Sequence, residues 1–480
     1  MQTPTHPPSM FDVEPSILSL RSRRYFLNEC GLGLGKIAAA SLLTNNLVGR
    51  SLSPKPSPIR PKAKAVIHLF MAGAPSQLEL FDPKPELTKH EGSPLPKSII
   101  GDQRYAFIQP DAAVMGPQFE FKQYGETQAT LGSPLAPLGA VADDLCIVKS
   151  CTTDQFNHAP AQLFLNSGFS QPGRPCLGSW TLYGLGSETD NLPAFVVMST
   201  GGGLSGGSAL WSSGFLPTTY TGVQFRKGKD PILNVGTPER FSPELQSDTF
   251  DLVNKLNAQR LATINDQEIA TRMASYEMAA RLQSSAPELM DLKSESDETI
   301  NLYGCDRDKQ SFARACLLAR RMVQRGVRFI NIYHSGWDAH SNVKGSTESK
   351  CAQTAQATAA LIQDLKRHGL LDETLVVWGG EFGRTPMVET NPSLGRKAGR
   401  DHHPQAFTTL MAGGGSKPGT YGETDDFGFH ITKDKVHVHD LQATILHLLG
   451  FDHERLTYHH AGRDFRLTDV HGHVIHDLLA

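Results

Sequence analysis

Short apolar runs alternate with longer stretches of helical spacing along most of this chain. Ala65–Phe70, Leu145–Val148, Pro193–Met198, Val327–Tyr333, Thr374–Trp378 and Phe407–Met411 are runs of the kind a buried strand requires. Between them lie helical patterns at Ala136–Ala142, Asn157–Asn166, Phe312–Gln324, Cys351–His368 and Leu441–Leu449, the last stopping at Gly450. Strands and helices that alternate in this way predict a parallel α/β sheet covered on both sides. Two regions break the rhythm. Residues 86–125 and 204–229 have no clear period, and the second, rich in Gly, Ser and aromatics, reads as a long loop near a site. From 243 to 292 the spacing is helical throughout, with Met273, Tyr276, Ala280 and Leu282 giving one example of a face. This block predicts a helical insertion at about 240–295.

With 480 residues the chain makes either two domains or one large, elaborated α/β domain. A net charge of -3 provides no field for a polyanion, which argues against nucleic acid or anionic membrane as partner. Of seven Cys, no two form a Cys-x-x-Cys pair, so thiolate zinc and thioredoxin chemistry are disfavoured. Cys146 and Cys151 are near enough in sequence to pair, or to stay as buried thiols. The 19 His are many for a near-neutral chain and crowd its last third.

Residues 1–64 read as an export signal and linker. Ser22-Arg23-Arg24-Tyr25-Phe26-Leu27 has the twin-arginine pattern, and the mildly apolar stretch Gly31–Leu43 behind it is too short to span a membrane. A Pro-rich linker, Ser51–Lys64, leads to the first strand. Ala63-Lys64-Ala65 formally fits a cleavage site, but cutting there would trim that strand, so processing is expected earlier. The expectation is a chain exported by the twin-arginine route, folded and with its cofactor bound, to a periplasmic or extracellular location. No later run reaches the length of a membrane helix.

Chemistry gathers after the strands. Glu381 stands in Trp378-Gly-Gly-Glu-Phe-Gly-Arg-Thr-Pro386, directly beyond Leu375-Val376-Val377. Asp338 and His340 follow the strand ending at Tyr333, and Asp401, His402 and His403 precede Phe407. Ligands of open α/β sheets bind beyond the strands' carboxyl ends, and mixed imidazole and carboxylate donors suit a divalent metal. Asp401 is a ligand or orients a His. Arg384 offers a bidentate fork to a phosphate or sulfate oxyanion, or pairs with Glu381 or a nearby acid. Gly203-Leu204-Ser205-Gly206-Gly207 formally fits a serine nucleophile elbow, yet no helical period follows it, as that motif demands.

At these residues the chain resembles the alkaline phosphatase and sulfatase superfamily. Thr374–Gly383 is similar to the strand ending in its Asp-Asn-Gly or Asp-His-Gly metal motif, with Glu381 for the Asp and Phe382 for the Asn or His. Asp401–Met411 resembles the segment in which a metal-binding His precedes a strand, and Asp440–Gly450 a late helix. Asn157–Gly168 resembles the sulfatase nucleophile helix, and there His158 falls on the nucleophile position and Pro160 on its Pro. Nearly all of the mature chain resembles a bacterial family of twin-arginine-exported, sulfatase-like proteins whose activity is not established. Its marks are Ala74-Pro75-Ser76-Gln77, Phe81-Asp82-Pro83-Lys84-Pro85, Asn157-His158, Gly336-Trp337-Asp338-Ala339-His340, Gly380–Pro386, Gly399-Arg400-Asp401-His402-His403 and Gly462-Arg463-Asp464-Phe465.

The resemblance implies a three-layer α/β/α sandwich of alkaline phosphatase type. It also implies a divalent metal (zinc, manganese or calcium) at Asp338, His340 and His402 or His403, and a second locus at His158 and Glu381. The implied activity is hydrolysis of phosphate or sulfate esters of small molecules or polysaccharides, with Arg384 and His158 in catalytic roles. The departures are specific. His158 is not a hydroxyl, Phe382 cannot ligate, and Met71-Ala72-Gly73-Ala74 replaces an acid pair, leaving Ser76, Glu79 or Asp82 as substitutes. Thr152, Thr153 and Ser76 are the candidate hydroxyl nucleophiles, and a metal-activated water is the other route. The alternative is a relative that has lost hydrolysis and acts as a binding or scaffold protein.

Overall fold

The computed structural model describes residues 52–103, 105, 108–109, 111–226, 242–264 and 267–480; the twin-arginine motif and the apolar stretch behind it lie outside them. In chain order the strands that matter here are β1 (Ala65–Ala72), β2 (Leu145–Thr152), β3 (Phe195–Thr200), β4 (Val223–Phe225), β5 (Phe329–Ser335) and β6 (Thr374–Gly379). A hairpin of β7 (Gly383–Asn391) and β8 (Arg396–His403) follows, then β9 (Phe407–Ala412), β10 (Gly419–Tyr421) and β11 (Val436–His437). The principal helices are α1 (His158–Ser167), α2 (Leu177–Leu185), α3 (Pro243–Ile264), α4 (Gln267–Met290), α5 (Phe312–Val323), α6 (Val343–Arg367) and α7 (Val438–Leu448).

The apolar runs form one sheet in the order β10-β2-β9-β6-β1-β5-β3-β4, with β11 also beside β2. All eight residues of the central β1 are buried. Alternate side chains of a strand face opposite ways, and β1 therefore feeds two cores. Ile67, Leu69 and Met71 pack with Leu317 of α5, Leu361 of α6 and Leu289 of α4. Val66, Phe70 and Ala72 pack with Leu165 of α1, Trp180 of α2 and Ile445 of α7. Two helical layers on one sheet make the three-layer α/β/α sandwich.

The sheet is parallel except at β9, which runs antiparallel to both β2 and β6. The reason lies in the connection. A parallel return needs a crossover to the far edge, whereas the β7–β8 hairpin keeps the chain at the carboxyl edge of β6, so β9 runs back. That hairpin is polar, and a small separate core of Leu78, Leu87, Val114, Met387 and Phe429 covers it.

Helix α6 starts eight residues before the apolar pattern does, at Val343, capped by Asn342, whose side chain accepts from Gly345 N. Its first turns bury only Val343 and Thr347, one face of a helix whose other positions meet solvent. Residues 133–144 form 3₁₀ turns around Pro137 rather than the expected α-helix, since Pro cannot donate within one. The described cysteines are all free. Cys146 and Cys151 lie on one extended strand, which separates their Cα atoms by about 16 Å at 3.3 Å per residue, far beyond disulfide reach. Among the described residues no helix is long and apolar enough to cross a membrane.

Candidate metal centre

The carboxyl edge of the sheet collects His158, the first residue of α1, with Asp338 and His340 from the loop after β5 and His402 from the end of β8. One donor atom from each lies within 4.8 Å of the others. Asp338 Oδ1 is 3.0 Å from His340 Nε2 and 3.3 Å from His402 Nε2, and the two imidazole nitrogens are 3.0 Å apart. Those three edges describe one face of a coordination polyhedron for an ion with bonds of about 2.0–2.1 Å. His158 Nε2 stands 3.2 Å from the other carboxylate oxygen, Asp338 Oδ2.

Glycine makes this convergence feasible. Gly73, with φ +111°, sits where a Cβ would meet Asp338 N at 2.5 Å, and at Gly399 a Cβ would meet the His340 carbonyl at 2.1 Å. The turn after β1 and the hairpin strand can thus press against the Asp338–His340 loop from two sides.

The second ring nitrogen of each histidine is already committed. His158 Nδ1 faces Glu381 Oε1 at 2.7 Å, His340 Nδ1 faces Glu389 Oε2, and His402 Nδ1 faces the Phe156 carbonyl at 2.7 Å. Carboxylates and carbonyls only accept, so each Nδ1 carries the hydrogen and a neutral ring turns its Nε2 lone pair toward the cluster. Histidines that hold a metal are fixed in this manner, the distal N–H on a carboxylate or a main-chain oxygen.

Protons compete with a cation for those Nε2 positions. Burial would raise the Asp338 carboxyl, but hydrogen bonds from His158, His340 and His402 and the Arg384 guanidinium outweigh it and hold the group well below the usual carboxylate range. Burial works against a charged His158, yet Asp338 and Glu381 on its two nitrogens push it up to about 9. His340 is likewise raised against burial by Asp338 and Glu389. Burial lowers His402 to about 4. It is the neutral donor of the set.

The other expected site residues take different places. Glu381 is fully buried and accepts from Gly73 N at 3.0 Å and Gln162 Nε2 at 3.0 Å besides His158, so it orients that ring rather than joining the cluster. Arg384 is also fully buried. Its guanidinium donates to the carbonyls of Ala74, Arg400 and Gly73 and to Asp338 Oδ1, and it therefore anchors Asp338 instead of offering a free fork. The expected oxyanion clamp is corrected to the alternative reading, a salt bridge, with Asp338 as the acid. Asp401 accepts from His402 N at 2.7 Å and lies with Glu389 on the far side of His340. His403 points away from the cluster because neighbours in a strand face opposite ways. It bonds Tyr105 Oη at 3.0 Å and the Phe429 carbonyl at 2.7 Å, and burial lowers it to about 4.

The candidate hydroxyls are engaged elsewhere. Thr152 Oγ1 donates to the Pro404 carbonyl, Thr153 Oγ1 accepts from Gln155 N, and Ser76 Oγ donates to Glu79. Glu79 itself forms a fully buried pair with Arg400, and Asp82 pairs with Lys84 and Lys149. Ser205 sits in a turn followed only by the short 3₁₀ helix Gly207–Trp211, not by the α-helix a nucleophile elbow demands.

Sequence reading passed over Glu389, which is fully buried, pairs with Arg396 and fixes His340. Its only signal was an acid inside a polar stretch, and only the hairpin pairing turns it inward.

Similar solved structures include lipoteichoic acid synthase LtaP from Listeria monocytogenes, at 10% identity over 88% of this chain and 79% of that one, with TM-score 0.37. Alkaline phosphatase from the Antarctic bacterium TAB5 matches at 12% identity over 75% and 95%, with TM-score 0.31. PsFucS1 sulfatase from Pseudoalteromonas sp. matches at 10% identity over 88% and 72%, with TM-score 0.34. No curated protein matches the chain. The family model described as protein of unknown function, DUF1501, matches residues 63–479, and the chain belongs to that family.

Proposed function

We propose that this protein is an exported, metal-dependent hydrolase of phosphate or sulfate esters. The observation that carries the reading is the face formed by Asp338, His340 and His402, whose distal ring nitrogens are committed to acceptors. Three imidazoles and one carboxylate are a donor set for zinc or manganese rather than calcium, which takes oxygen. A divalent cation supplies Lewis-acid polarisation of an ester oxyanion and a nucleophile active at neutral pH. The chain's own groups do the rest. Arg384 and Gly73 hold Asp338 in place, Glu389 holds His340, and Glu381 fixes the ring of His158 at the edge of the face, where it can bind the ion or pass a proton through Nε2. The twin-arginine motif in residues 22–27 supports export to the periplasm or beyond, and the resemblance supports a small-molecule or polysaccharide ester as substrate.

One observation favours a second reading, a superfamily relative without hydrolysis that binds metal as a scaffold. Ser76, Thr152 and Thr153 are all turned to other partners, and His158 Nε2 can close the face as a fourth ligand, as in structural sites.

Elemental analysis of the native protein, with Asp338→Ala and His402→Ala as controls, tests the metal site. Aryl phosphate and aryl sulfate esters then test the reaction. A native protein free of divalent metal rejects the centre, and a metal-loaded protein silent on the whole panel leaves the scaffold reading.

A further inference from the structure

Phe156 is the one exposed aromatic side chain (Phe, Trp or Tyr) among the described residues, at 52% relative exposure. Nothing about folding requires a large ring there, since every other described aromatic is buried or half-buried. Its place is specific. The Phe156 carbonyl accepts from His402 Nδ1 at 2.7 Å, and His158 follows two residues later as the first residue of α1. The main chain that carries the ring is thereby fastened to two members of the cluster, which places the exposed Phe156 beside the centre. Further along the same helix, Gln162 Oε1 accepts from Gly206 N while its Nε2 donates to Glu381. The loop fastened there is stripped of side chains at Gly201–Gly203, and around Gly203 a Cβ would meet nothing within 4 Å.

We infer that Phe156 is the platform for the alcohol portion of the ester, and that this portion carries a six-membered ring next to the anionic group. An aromatic face takes such rings by stacking, whether the ring is aryl or the C–H face of a pyranose. This inference rests on the hydrolase reading for the anion's position, and it adds the class of the alcohol. Phe156 is a specificity-determining residue whose side chain has no part in holding the metal, because His402 uses only its carbonyl.

Non-hydrolysable phosphonates separate the two ideas. Zinc-loaded wild-type protein and Phe156→Ala are titrated by calorimetry with methylphosphonate, phenylphosphonate and a glucosyl C-phosphonate, after zinc content is shown to be equal in both. The expected result is tighter binding of a ring-bearing phosphonate than of methylphosphonate in the wild type, by about tenfold. In Phe156→Ala that preference is lost while methylphosphonate affinity is unchanged, and Phe156→Trp restores it. Preference for the phenyl or for the glucosyl compound says which ring is the natural one. Equal binding of all three in the wild type, or a preference that survives Phe156→Ala, overturns the platform and leaves the metal hydrolase standing. Failure of every phosphonate to bind overturns both.

Discussion

His340 Nε2 and His402 Nε2 stand 3.0 Å apart while the other nitrogen of each ring faces an acceptor, Glu389 for one and the Phe156 carbonyl for the other. Two neutral imidazoles so fixed would point lone pairs at each other, an arrangement that a shared cation or proton relieves. The pair is thus the element on which the proposed metal centre rests.

The proposed metal centre should contribute directly to stability when loaded. Zinc at 1,000 times its dissociation constant is expected to stabilise the native protein by about 4 kcal/mol. Thermal melts with added zinc and with a chelator should differ accordingly. In Asp338→Ala and His402→Ala the two melts should coincide, and a native protein whose melt ignores the chelator would contradict the assignment.

Glu389 supports the site through His340 and should show itself in affinity before fold. Glu389→Gln keeps an acceptor for His340 Nδ1 but removes the charge shared with Arg396. Outer partners of metal-bound histidines are worth roughly 10–100-fold in affinity, and a loss in that range is expected in a competition titration with a chromophoric chelator. Affinity equal to wild type would reduce Glu389 to a fold-stabilising acid.

The buried pair of Glu79 and Arg400 ties the turn after β1 to the hairpin that delivers His402. Arg400 Nε and Nη2 both reach Glu79 Oε1, at 2.9 and 2.8 Å, and the remaining donors reach the carbonyls of Thr385, Met115 and Gly116. Arg400→Met alone leaves a buried carboxylate unpaired and should cost about 3–5 kcal/mol in urea denaturation. Adding Glu79→Gln should return part of that loss, because no charge is then stranded. Strictly additive losses would show that the pair is not coupled.

Much of this arrangement was legible from residue pattern, and what was not has a common cause. The strands β1, β2, β3, β5 and β6 announced themselves because a strand covered on both faces must be apolar throughout. Asp338, His340 and His402 were legible as residues placed just outside such strands. The hairpin was not, since β7 and β8 carry Arg384, Glu389, Arg400 and Asp401, all buried and charged, and polar runs read as loops. Without the hairpin the direction of β9, the inward turn of Glu389 and the outward turn of His403 could not be read. Arg384 shows the same limit: its residue type suits an oxyanion, but only the packing of Gly73 and Ala74 against it shows that main-chain oxygens occupy its donors.

The last prediction concerns pH and a residue outside the site. His68 lies buried in the middle of β1, where burial lowers its pKa to about 4 although its side-chain interaction with Asn331 works to raise it. The unfolded chain binds the proton near 6.5, so the folded state holds fewer protons between the two values. Its neutral ring thus contributes stability that is complete above pH 6.5 and is lost as pH falls toward 4. The loss amounts to about 3 kcal/mol over that window, at 1.36 kcal/mol per unit. Urea denaturation of wild type and His68→Gln at pH 7.5 and pH 5 isolates the effect from other titrating groups. The wild type should lose more stability between the two pH values than the variant does, by about 2 kcal/mol at pH 5. An equal loss in both would show that His68 is protonated, or relieved of its burial, in the folded protein.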